Sequence, residues 1–128
     1  MSSQKIYKGS DQAIEIPLED QDGNAINPNT DLIGLVIILY YDKGALLNKY
    51  SLNAKNNYDP ITVNNASKGL VEVKLQSAVT NTAKEGLIYA EVKAQEDNTS
   101  YQSNTFDMVD AGIEVGEIVT ALSNHVDP

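Results

Sequence analysis

The sequence predicts an antiparallel β-sandwich of seven to eight strands, and three observations carry that prediction. Apolar and polar residues alternate with period two through most of the chain. Turn residues break the alternation about every eight to twelve positions. Neither a long helical pattern nor an internal repeat competes with it. A small closed β-barrel is the alternative, because its strands alternate in the same way.

The elements follow in order. Ile14, Ile16 and Leu18 face one way, with Glu15 and Pro17 the other. Pro17 has no N–H to give a ladder, which places this strand at a sheet edge. Gln21–Asn24 and Asn27–Asn29 are turn chemistry. Leu32–Tyr41 is apolar on both faces and rich in β-branched residues, which favours a central strand covered on both sides over a buried helix. After Asp42-Lys43-Gly44, residues Ala45–Leu52 return as its hairpin partner. Ile61–Val63 is a short strand, and Val71, Val73 and Leu75 line one face of the next. One helical turn is expected around Thr80–Lys84. Ile88, Ala90, Val92 and Ala94 then alternate with Tyr89, Glu91 and Lys93. Tyr101–Val109 reads as a further strand, with Phe106 and Met108 on one face, and Ile113–Val119 as a final strand or ordered tail.

At 128 residues the chain fits one core, which at this size buries roughly two-thirds of the unfolded surface. The expected layout is an N-terminal arm at 1–10, the sandwich at 11–116 and a C-terminal tail at 117–128. Cysteine is absent, so disulfides and thiolate chemistry are excluded. Net charge is -9, and every cation is Lys. Without Arg, and with this acidity, neither nucleic acid nor an anionic membrane is the expected partner.

No catalytic or metal constellation stands out, and no cofactor is expected. Asp20-Gln21-Asp22-Gly23-Asn24 begins like a calcium loop, but its glycine comes too early and its flanks read as strands. His125 lies in a polar terminal stretch with nothing to orient it as a base. Glu72 and Glu91 occupy the polar positions of alternating strands. For a sugar-binding face, which needs an exposed aromatic, the candidates are Tyr50, Tyr58 and Tyr101, whereas Tyr40, Tyr41 and Tyr89 read as packing residues. The sequons at Asn65 and Asn98 carry no argument.

Certain segments taken together resemble a known family. These are Ile14-Glu15-Ile16-Pro17-Leu18, Asp22-Gly23-Asn24-Ala25-Ile26, the apolar strand ending Tyr40-Tyr41-Asp42, Gly69–Leu75 and Glu85–Val92. Their order, from about Gly9 to Val115, resembles the immunoglobulin-like modules of tailed-phage virion proteins, especially the N-terminal domains of baseplate upper proteins. Two residues separate Gly86 from Tyr89, a departure from the family's commoner spacing at the tyrosine corner.

The resemblance implies attachment rather than catalysis. A freestanding module of this size resembles a capsid auxiliary or decoration protein, located in the virion and docking in many copies on coat proteins. A tail or baseplate adaptor and a carbohydrate- or receptor-binding sandwich are the alternatives. Ile6 and Tyr7 precede the first strand, and Ile118, Val119 and Leu122 continue apolar at the other end once the strand count is complete, so these are the expected docking residues.

Overall fold

The computed structural model describes residues 4–20, 22–42, 44–52, 57–96 and 107–120. They form β1 (Gln4–Tyr7), β2 (Gln12–Pro17), β3 (Leu32–Tyr41), β4 (Leu46–Ser51), β5 (Asp59–Pro60) and β6 (Thr62–Asn65). A 3-10 turn (Ala66–Lys68), β7 (Leu70–Leu75), the one-turn helix α1 (Ser77–Thr80), β8 (Gly86–Glu96) and β9 (Asp107–Val119) follow.

The strands make two sheets, one ordered β1-β9-β8-β3-β4-β5 and the other β2-β7-β6. The larger curls like half a barrel over the smaller, giving the expected sandwich. The orders β9-β8-β3 and β2-β7-β6 match G-F-C and B-E-D of an immunoglobulin-like sandwich. Most pairings are antiparallel, but β1 runs parallel to β9 and β5 parallel to β4.

Period two decides which side chains are buried. Ile14, Ile16 and Leu18 from the smaller sheet, with Val71, Val73 and Leu75 beside them, are at most 2% exposed. They meet Leu35, Ile37 and Leu39 of β3 and the alternating Ile88, Ala90, Val92 and Ala94 of β8 in one cluster. β2 lies at the sheet edge, where Pro17 forfeits no ladder bond on its open side.

Two glycines let the layers close. An ideal Cβ on Gly69, at φ 68°, would stand 2.6 Å from the Leu18 carbonyl oxygen and 2.8 Å from that of Ile26. One on Gly116 would stand 2.6 Å from Ile6 Cδ1. Gly116 therefore lets Ile6 lie flat over β9.

Several expectations change. Tyr50 is fully buried, and its hydroxyl donates to the Lys74 carbonyl at 2.9 Å, tying β4 to β7 across the sandwich. It presents no face for a sugar, and burial pushes its hydroxyl pKa up to about 12. The helical turn comes earlier than expected, at Ser77–Thr80. Its buried Thr80 hydroxyl donates to the Ser10 carbonyl at 2.6 Å. Residues 107–119 form one strand through Gly112, because bulges absorb the breaks in its register with β8. Phe106 and Tyr101 lie outside the described residues.

The expected arm contains β1, and the expected tail boundary at 117 falls inside β9. Gln4–Tyr7 pairs residue for residue with Gly116–Val119. Ile6 is 0% and Ile118 1% exposed. In this closed arrangement both side chains complete the domain's own core, so neither lies exposed for docking.

Candidate docking face

The outward side of the six-stranded sheet is the candidate site, and its rows can be read across the strands. Leu46 on β4 pairs with Tyr40 on β3, Tyr40 with Tyr89 on β8, and Tyr89 with Glu114 on β9. The next row is Lys49, Ile38 and Glu91. Toward the other end lie Leu87 opposite Glu117, then Val119 opposite Tyr7. These positions alternate with the buried Leu39, Ile88, Ile118 and Ile6, so they point away from the core.

The row's centre is aromatic. The Tyr40 and Tyr89 rings stack with centroids 6.0 Å apart and planes 28° from parallel. Both are half-buried, and Leu46 beside them is 54% exposed. Tyr7 is 49% exposed at the far edge, with Val119 half-buried opposite. An apolar band, Leu46-Tyr40-Tyr89-Leu87-Val119-Tyr7, thus crosses from β4 to β1. Two of the five expected docking residues, Tyr7 and Val119, belong to it, while Leu122 lies outside the described residues.

Charges rim the band. Lys93 Nζ pairs with Glu91 at 3.1 Å and Lys5 Nζ with Glu117 at 2.8 Å. Lys49 Nζ sits 4.7 Å from the centre of the Tyr58 ring. Glu117 holds the Lys5 ammonium above its ordinary pKa through a hydrogen bond and its charge. Burial first, then the carboxylates of Asp42 and Glu114 and the Tyr40 phenol, raise the Tyr89 hydroxyl. Tyr89 therefore remains a neutral donor.

A groove of about 460 Å³ opens beside Leu87, between the β3–β4 turn and the loop before β8. Tyr41, Asp42, Ala45, Lys84 and Glu85 line it. The Tyr41 hydroxyl accepts a 2.9 Å bond from the Lys84 N–H, a corner tie made from β3 rather than from Tyr89. Glu85 is bonded to Thr120 across the groove's rim.

Other groups singled out from the sequence have structural partners. Asp20 Oδ1 accepts from the N–H groups of Asp22 and Asn24, each at 2.9 Å, closing a turn. The Asn65 side chain caps the 3-10 turn at Lys68 N. Glu72 faces Glu15 across β2 and β7, and Asn64 Nδ2 donates to both. Among the described residues no three acidic or imidazole side chains converge as a metal site. His125 lies outside them.

Sequence reasoning assigned Tyr40 and Tyr89 to packing. The structure turns both outward and half-buried, on the face where β8 also presents Glu91 and Lys93. Comparison with protein-family models and with curated proteins finds no match for the chain.

Proposed function

We propose that this chain is a docking module without a catalytic role, holding a protein partner against the outer face of its larger sheet. One observation carries the reading: a stacked, half-exposed tyrosine pair continues into Leu46 and Leu87 and is ringed by Lys and Glu side chains. An apolar, aromatic centre inside a charged rim is the anatomy of a protein interface, and tyrosine is among the residues most enriched where binding energy concentrates. The rim's paired charges suit a partner of mixed sign.

The resemblance to phage modules supports the setting: a virion, with the chain docked in many copies on coat proteins as a capsid auxiliary or decoration protein. A mass-spectrometric inventory of purified particles tests it. The chain is expected in copy numbers comparable to those of the coat protein. A few copies per particle would point instead to a tail or baseplate adaptor, and absence would overturn the virion reading. The same tyrosine pair offers stacking surface to a pyranose, so strong, selective binding on a glycan array would favour the sugar-binding alternative.

A further inference from the structure

We infer that β1 is an exchangeable strand, which in crowded copies of this chain seats on β9 of a neighbouring copy instead of its own. The groove along β9 demonstrably fits the sequence Gln4–Tyr7, because that sequence occupies it. Any second copy carries the same key: Ile6 for the space over Gly116, and Lys5 for Glu117.

The attachment of β1 is narrow. Among the described strands it lies at the edge of its sheet, with β9 as its one neighbour. The hinge is equally well defined. Gly9 takes φ 84°, and immediately beyond it the chain is fastened to α1. The Thr80 hydroxyl holds the Ser10 carbonyl at 2.6 Å, and the Ser77 N–H holds Asp11 Oδ1 at 2.6 Å. Rotation about Lys8 and Gly9 would therefore free β1 while leaving β2 in place.

An exchanged pair repeats the β1–β9 contacts of the closed monomer and gives up the turn bonds from Ser10 N–H and Oγ to the Tyr7 carbonyl, so these bonds and association entropy are what oppose it. Repulsion between chains of net charge -9 keeps dilute copies apart. Assembly side by side on a scaffold supplies the local concentration that favours exchange. This inference does not depend on what the outer face binds.

Because the chain has no cysteine, engineered thiols report without background. Lys5 and Glu117 are exposed neighbours across the β1–β9 pair, within disulfide reach when the strands are joined. One batch carries Lys5→Cys, the other Glu117→Cys, and they are mixed and oxidised gently across a concentration series. A control replaces the second batch with Lys74→Cys, which puts the thiol on the exposed side of the smaller sheet.

Exchange predicts that the Lys5→Cys/Glu117→Cys cross-linked dimer forms about tenfold faster than the control dimer, because a seated strand holds the two thiols together. Adding Ile6→Asp to the Lys5→Cys batch leaves the acceptor copy untouched and should erase the excess. Equal rates for both mixtures would overturn the inference. So would an excess that survives Ile6→Asp, since it would not arise from seating the strand.

Discussion

Along β3, Ile37 is fully buried against the smaller sheet, while Ile38, one residue on, is half-exposed on the opposite face. The same contrast repeats on β8 between Ile88 and Tyr89. Neighbouring residues of similar apolar character thus do different work. The inner residues hold two sheets together by removing apolar surface from water. The outer ones add comparatively little to folding and leave apolar area reachable by water, which the proposed docking role would use.

A charge placed at each position separates the two faces most strongly. Ile37→Asp should lower the unfolding free energy by about 4 kcal/mol, because it buries an unpaired carboxylate. Ile38→Asp should cost about 1 kcal/mol, since its side chain reaches water. Urea titrations of the two variants read the difference. Equal losses would mean that the outer face is as much core as the inner one.

A smaller effect is expected where β1 meets β9. Gly116→Ala drives a methyl group into Ile6 and should cost about 2 kcal/mol in the same titration. A neutral result would show that β1 contributes little to the fold.

Smaller still is the tie between the sheets. Tyr50→Phe leaves the Lys74 carbonyl without its donor and should cost about 1 kcal/mol at neutral pH. The pH dependence has a definite sign. Burial pushes the native phenol up to about 12 from its ordinary value of 10.0, so between those values the unfolded chain ionises first. This contribution is intact below pH 10 and declines toward pH 12. The wild type should therefore lose more stability than Tyr50→Phe over that interval, as read by denaturant midpoints at each pH.

The inner face was legible in the sequence because it is written in alternation: Ile14-Ile16-Leu18 and Ile88-Ala90-Val92-Ala94 each declare their buried side. β3 hid its outer face, because a run apolar on both sides does not say which side is covered. Tyr50 was misassigned for a related reason, since a bulge between Leu39 and Tyr40 resets which residues of β4 point inward. The β1–β9 pair was invisible because its members lie over a hundred positions apart, as with Lys5 and Glu117. Parallel pairing of chain ends leaves no hairpin signal. Gly116 was the available clue, for a glycine inside a strand often marks a close approach of another segment.

The docking face is tested most directly by the double variant Tyr40→Ala/Tyr89→Ala, co-expressed with wild-type chain and counted in purified particles by quantitative mass spectrometry. A Glu72→Ala variant on the smaller sheet serves as the matched control. The tyrosine variant should remain folded by circular dichroism yet enter particles at least about tenfold less often than wild type, as loss of a central aromatic pair implies. The Glu72→Ala variant should enter at the wild-type level. Incorporation of the folded tyrosine variant at wild-type copy number would rule out the proposed docking face.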